Sequence, residues 1–353
     1  MSVTSTVTVT VPATTANLGP GFDCIGAALS LYNHFQFSRL EASATEKLKI
    51  TVTGKEAAKV KTDESNLAYQ AFVKLYDRLN QSPPPVAIHI DMQVPLARGL
   101  GSSATAIIGG LVGANELAGK PLSQVEVMQL AIELEGHPDN VVPALLGGCR
   151  LAASNAPPQS PLTKGGLREQ LPLREAGLRE QSPLDAEILP SLPLTEAGQG
   201  GGSWEICDIP WHPNIVAVVA IPDFELSTAE ARRVLPADYS KADAIFNAAH
   251  LGLLVRALET GNENWLRCAL QDKIHQPYRQ SLINGYERVQ EAAVNAGACG
   301  MVISGAGPTL LALTDVTSAE AVEKAMVAAW GEFGVNAEVR AIGLDTQGAQ
   351  VSL

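Results

Sequence analysis

The run Pro95-Leu96-Ala97-Arg98-Gly99-Leu100-Gly101-Ser102-Ser103-Ala104-Thr105 collects the residue types that hold a phosphate. Two glycines flank one apolar residue, and two serines follow at once. Gly99 and Gly101 carry no Cβ to keep an anion off the backbone. A helix starting here would aim unpaired N–H groups and a partial positive charge at that anion. Ser102 and Ser103 can donate hydroxyls to phosphate oxygens or help hold a metal ion. Upstream, Val86-Ala87-Ile88-His89-Ile90-Asp91 alternates like a strand, and downstream Ile107, Ile108, Leu111 and Val112 suit a buried helix. The local order is strand, glycine loop, helix.

Three phosphate chemistries compete for such a loop, beside a plain glycine-rich turn before a core helix. A Walker-type loop needs a Lys after its last glycine, and no Lys occurs between Pro95 and Thr105. Gly99-x-Gly101-x-x-Ala104 fits a dinucleotide fingerprint, which needs a second strand ending in an acid about 20 positions on. Gly119-Lys120-Pro121 stands there instead. The remaining reading is a nucleotide-phosphate loop of another kinase class, which the adjacent serines and Pro95 favour over a bare turn.

Further along, Glu133-x-Glu135-Gly136-His137-Pro138-Asp139-Asn140 places carboxylates at a helix end. One or two carboxylates with phosphate oxygens suit Mg2+. Glutamates at i and i+2 do not share a helix face, so solvated surface is the competing reading. Asn17 and Asp23 lie in Pro12 to Asp23, which reads as a loop rich in breakers and could be turn chemistry alone. Arg232 follows Thr228 at i, i+4 and so shares its helical face. Arg279 comes just after a helix-breaking Pro277. Either Arg alone is compatible with a solvated surface charge.

The elements that must position these groups are legible in outline. Val7, Val9 and Val11 alternate with threonines, and Lys47 to Thr53 alternates likewise. Phe72, Leu75, Tyr76 and Leu79 predict a helix over Asn66 to Leu79, capped by Ser65-Asn66. Ser123 and Glu126 form a capping box. Ile215 to Ile221 reads as a buried strand, Ser227 to Arg233 as a capped helix start, and Ala242 to Leu258 and Leu282 to Ala296 as helices. Met301 to Ile303 and Thr309 to Leu313 read as strands about the turn Ser304 to Pro308. A helical stripe at Val322, Ala325, Met326, Ala329 and Trp330 and a strand over Glu338 to Ile342 complete the set. Residues 155 to 203 differ: Gly166 to Leu173 returns eleven positions later as Gly177 to Leu184, among many prolines and before Gly200-Gly201-Gly202. This reads as a low-complexity repeat insertion.

The chain has 353 residues, 46% hydrophobic and 18% charged, so it can bury a large core in two domains. A net charge of −12 argues against a nucleic-acid or anionic-membrane partner. Five scattered cysteines without CxxC spacing suit a reduced cytoplasm and no zinc site. No secretory signal or membrane-spanning run is found.

Pro95 to Thr105 resembles the P-x-x-x-G-L-G-S-S-A signature of the GHMP kinases. Ala16 to Asp23 resembles the A-N-L-G-P-G-F-D segment of the homoserine kinases among them. Mevalonate-type relatives carry a Lys near the first strand, and the first Lys here is Lys47. The resemblance implies a two-domain α+β fold: a ribosomal protein S5 domain 2-like half over residues 1–154, a ferredoxin-like half over 204–353, and the site between them. The activity it implies is ATP-dependent phosphorylation of the L-homoserine hydroxyl in threonine biosynthesis, with Mg2+. ATP would lie on Pro95 to Thr105, near the helix that begins at Asn66. One of Glu133 and Glu135 would bind Mg2+ with Ser102, and Asp139 or Asn140 would orient the hydroxyl. Asn17 and Asp23 would hold the amino end of the substrate. Ser227 to Arg232 and Gln276 to Arg279 resemble the family's S-T-x-E-A-R and Q-P-x-R segments. This implies that Arg232 and Arg279 reach the substrate carboxylate, with Thr228 near the transfer point. Ser304 to Pro308 would pack beside the phosphate loop, and His137 is read as structural. A different acceptor within the family, a catalytically silent sensor on the same fold, and a homodimer are all compatible with these residues.

Overall fold

A computed structural model of the chain describes residues 6–41, 43, 45–155 and 204–352. Its first sheet is built on two long antiparallel strands, β1 (Thr6–Asn17) and β2 (Gly21–Arg39). β3 (Leu48–Gly54) runs parallel to β4 (Val86–Met92), and β4 pairs with β2. β5 (Cys149–Ser154) joins the inner end of β2 and pairs with β6 (Trp204–Ile209). Against this sheet lie α1 (Leu67–Arg78), α2 (Ser102–Leu117), α3 (Gln124–Glu135) and α4 (Pro138–Leu146). Side-chain oxygens start two of these helices as the sequence predicts: Asn66 caps α1, and Ser123 with Glu126 forms the capping box of α3.

The second sheet is antiparallel, in the order β10-β7-β9-β8, with β7 (Val216–Pro222), β8 (Gly300–Ile303), β9 (Leu310–Thr314) and β10 (Ala337–Ile342). Its helices are α5 (Thr228–Arg233), α6 (Lys241–Thr260), α7 (Glu263–Ala269), α8 (Gln276–Arg279), α9 (Tyr286–Asn295) and α10 (Ala319–Gly331). One apolar face of this sheet packs on α9 and α10 through Val289, Val322, Met326 and Trp330. The other shares a core with the first sheet and α6, in which Leu18, Ile25, Leu100, Val219, Leu258 and Val302 are buried together. Mixed strands and helices in two such sheets are the expected α+β arrangement. The last strand, β11 (Gln350–Ser352), returns to pair with β1, so the first sheet draws on residues beyond 204 as well.

Three sequence readings change. The segment Pro12 to Asp23 is not a long loop: β1 continues through Asn17, and only Leu18-Gly19-Pro20 turns. Register shifts at Pro12/Ala13 and Ala16/Asn17 let the strand absorb a proline and a bend. Pro277 does not break a helix but sits in the first turn of α8, where its missing N–H costs nothing. The helix placed at Leu282 begins only at Tyr286, after a single 3-10 turn over Gln280–Leu282.

The chain divides into one compact unit of Met1–Ala152 with Ile206–Leu353 and a second of Ala153–Glu205. The repeat insertion expected at 155–203 lies, after Asn155, outside the described residues. Among the described residues no helix is long and apolar enough to cross a membrane.

Candidate functional site

A cleft of about 660 Å³ runs along the first unit, and the glycine loop forms its middle. β4 delivers the chain to this loop and α2 carries it away. α2 can lie close to β2 because Gly109 and Gly113 leave room: a Cβ there would stand 2.5 Å from the Phe35 ring and 2.4 Å from that of Phe37. Gly101 takes a left-handed conformation, φ 67°, and caps α2 without a side-chain bond. The first-turn N–H groups of α2 therefore lack helical partners and open toward the cleft.

The reason for the glycines differs from the sequence reading. A Cβ on Gly99 would meet the Ser304 carbonyl oxygen at 2.2 Å, and one on Gly101 would meet Thr14 Oγ1 at 1.9 Å. Protein atoms, not free space for an anion, occupy those directions. The close approach of Ser304 to Gly99, with Ser304 Oγ donating to the Gly99 carbonyl at 2.6 Å, is the expected packing of the second glycine turn on the first. Leu96, Ala97, Gly99, Gly101, Ser102 and Ser103 face the cleft. Leu100, Ala104 and Thr105 are buried beneath it, and Pro95 is not part of its wall. Arg98 turns its guanidinium to the carbonyls of Pro222, Leu96 and Asp223, so its head group is committed to the protein.

α3 ends at this loop. Glu135 Oε1 accepts a bond from Ser103 Oγ at 2.7 Å, and burial raises the carboxyl above its ordinary pKa, against the Ser103 bond and the nearby His137. A carboxylate taken partly out of water and bonded to a serine hydroxyl of the loop has donor chemistry that suits a divalent cation. Glu133 is exposed and outside the cleft wall, because two residues along a helix point to opposite faces. Of the two glutamates, Glu135 alone lines the cleft.

The far end of the cleft is ionic. α4 places Asp139 and Asn140 in its first turn, pressed so closely on β2 that a Cβ on Gly26 would lie 1.7 Å from the Asp139 carbonyl oxygen. Asn140 Oδ1 accepts the Thr14 hydroxyl at 2.7 Å. His137, read as structural in the sequence, belongs to this wall: its Nδ1 lies 2.5 Å from Asp139 Oδ1. Burial is the largest influence and opposes its charge, but the Asp139 bond together with the charges of Asp139, Glu135 and Asp23 outweighs it and raises the pKa. Asp23 and Arg232, expected at opposite ends of a substrate, hold each other: Arg232 Nη1 and Nη2 donate to the two Asp23 oxygens at 3.0 and 2.8 Å. Arg279 is 2% exposed and donates to the Ala231 and Gly305 carbonyls. Burial, then the neighbouring Arg232, lowers its pKa. Asn17, at φ 73°, donates to the Gly305 carbonyl and accepts the Asp23 N–H, fixing the turn that presents Asp23. Thr228 faces the cleft from the first position of α5.

The opposite end is more apolar, walled by Phe35, Val60, Leu67, Ile90 and Met92 with Asn33, Lys59 and Lys61 at its polar points. The N-terminus of α1 lines it, as expected. Asn33, Phe35 and the lysines escape a sequence reading because they lie on separate strands and turns with no shared motif.

The model for the GHMP kinases N terminal domain matches residues 66–148, and that for GHMP kinases C terminal matches residues 252–332. A homoserine kinase of Trichormus variabilis is 61% identical over 349 residues, covering 99% of this chain and 100% of the relative. That of Trichodesmium erythraeum is 60% identical over 352 residues, covering 100% of both. The crystal structure of homoserine kinase from Cytophaga hutchinsonii superposes with a TM-score of 0.79 at 25% identity, over 100% of this chain and 99% of that one. A mevalonate kinase of L. major, 14% identical with a TM-score of 0.61, shares the fold.

Proposed function

The chain belongs to the GHMP kinase family, and we infer that it transfers the γ-phosphoryl group of ATP to the side-chain hydroxyl of L-homoserine, giving O-phospho-L-homoserine and ADP. The observation that carries this reading is the single cleft. It joins an apolar pocket, a helix N-terminus with unpaired N–H groups and an ionic end sized for a small zwitterion. The homoserine kinases of about 60% identity over the whole chain support the acceptor.

ATP would place its base against Phe35, Leu67, Ile90 and Met92, and its phosphates on the N–H groups of Gly101 to Ala104. Phosphoryl transfer asks mainly for positioning and charge stabilisation, and these N–H groups supply both without reorganising. Mg2+, held by Glu135 and Ser102, would neutralise charge on the phosphate oxygens. Ser103 steadies Glu135 for that task. At the ionic end the amino acid exchanges partners with the Asp23–Arg232 pair. Its ammonium replaces the guanidinium at Asp23, and its carboxylate replaces Asp23 at the fork of Arg232. Asn17 holds Asp23 in place, and Arg279 holds α5 through Ala231. Asn140 and Asp139, fixed by Thr14 and His137, flank the hydroxyl on its way to the phosphate, with Thr228 opposite. Incubation with ATP, Mg2+ and homoserine should release ADP with stoichiometric O-phosphohomoserine, identified by mass spectrometry. ADP release without that product would refute the acceptor.

A further inference from the structure

We propose that Glu56 is a positioning residue of the phosphate loop, the centre of a four-charge clamp that holds the loop's left-handed first turn. The inference rests on the loop being the nucleotide site. Glu56 lies 40 positions ahead of the loop, yet its Oε2 accepts the Leu96 N–H at 2.6 Å. Its Oε1 accepts Lys59 Nζ at 2.9 Å and lies 3.6 Å from the Arg98 guanidinium. Glu225 completes the clamp, 3.4 Å from Arg98 and paired with Lys59. Two carboxylates face two cations, so the group is neutral. Burial would raise the Glu56 pKa, but the Leu96 N–H and the two cations outweigh it and hold the carboxyl below its usual value.

The loop has a reason to need such a clamp. Ala97 sits at φ 49°, a conformation that a residue with a Cβ adopts only when its surroundings enforce it. The groups on both sides of it are held. Glu56 takes the Leu96 N–H, Arg98 Nη1 donates to the Leu96 carbonyl at 2.9 Å, and the Leu226 N–H donates to the Ala97 carbonyl at 3.1 Å. Release of this turn would let the following N–H groups swing away from the phosphates. Glu225 and Leu226 also lead directly into α5, which carries Thr228 and Arg232.

Charge and position predict opposite results when Glu56 is removed. Losing its carboxylate leaves a net positive charge beside the cleft, which by Coulomb attraction would tighten ATP. Losing the acceptor for Leu96 would loosen the loop and weaken ATP. In Glu56→Ala, KM and the calorimetric Kd for ATP should rise about tenfold, with KM for homoserine at saturating ATP within about twofold. Glu56→Gln, whose amide oxygen still accepts the Leu96 N–H, should recover ATP binding to within about threefold. The proposal is overturned if Glu56→Ala binds ATP as tightly as the parent or more tightly, if Glu56→Gln is as impaired as Glu56→Ala, or if both KM values rise together. Should Glu56→Ala not fold, Glu56→Asp, one methylene short of Leu96, takes its place with the same expectation. Failure of the unmodified protein to bind ATP would overturn the nucleotide reading itself, which separates the two outcomes.

Discussion

Arg232 grips both oxygens of Asp23 across 209 residues of chain, at 3.0 and 2.8 Å, with its guanidinium carbon 5.6 Å from the centre of the Phe22 ring. On the proposed reading the pair stands in for a zwitterion: each partner presents the charge that the other end of an amino acid would bring. Both side chains stay partly exposed, so a substrate can reach them.

Arg232→Leu removes the fork and leaves Asp23 without its cation. KM for homoserine should rise about tenfold or more, while KM for ATP moves by less than about twofold, measured by steady-state kinetics with each substrate varied. Equal losses for both substrates would take Arg232 away from the acceptor.

Gly101→Ala tests why the loop carries glycine. Its Cβ would meet Thr14 Oγ1 at 1.9 Å, in a backbone conformation already costly for alanine. The variant should melt several degrees lower as well as bind ATP poorly. Thr14→Ala in the same chain should restore part of the melting temperature, because the 1.9 Å contact is removed and only the Thr14 Cβ and Asn140 Oδ1, each at 3.2 Å, would remain close. Melting unchanged from the parent in Gly101→Ala would show that the site has room after all.

The outcome at Gly101 illustrates what could be read in the sequence. The loop, the capping box of α3, the capped start of α5 and the alternating strands are local patterns, and all are found where their spacing puts them. What escaped depends on distant partners. Thr14 matters because Asn140, 126 positions away, accepts its hydroxyl, and Glu56 because Leu96 folds back onto it. His137 has no helical or metal spacing of its own, and only α4 turning at Pro138 aims it at Asp139. The first half of the 19-residue β2 escapes because its glycines and alanines make room for neighbours instead of alternating, although Phe35 and Phe37 do alternate with polar residues in its second half.

Glu135 gives the protein a pH dependence with a definite sign. Its folded pKa is raised above 4.5, chiefly by burial, so the folded state binds a proton more readily than the unfolded chain. Its contribution to stability is present below 4.5 and is lost as pH rises through the raised value. Mg2+ needs the carboxylate, so the apparent affinity for Mg2+ should strengthen over that same window. In Glu135→Gln the pH dependence should vanish and the Mg2+ requirement rise steeply. A Mg2+ titration that is flat with pH in the parent would contradict the assignment.

Asn155 Nδ2 lies 2.9 Å from Glu205 Oε1, so the two ends of the repeat segment emerge side by side. A short Gly/Ser linker can span them at small closure cost. Replacing residues 157–201 in this way should leave kcat within about threefold and the melting temperature nearly unchanged. A loss of more than about tenfold would give that segment a part in the enzyme.

The most direct test compares kcat/KM for homoserine with that for 3-aminopropan-1-ol, which is homoserine without its carboxylate, under saturating ATP and Mg2+. With the carboxylate held by the fork of Arg232, homoserine should be favoured by at least about tenfold, since the analogue forfeits a bidentate, charge-assisted pair. Comparable rates for the two alcohols would contradict the account.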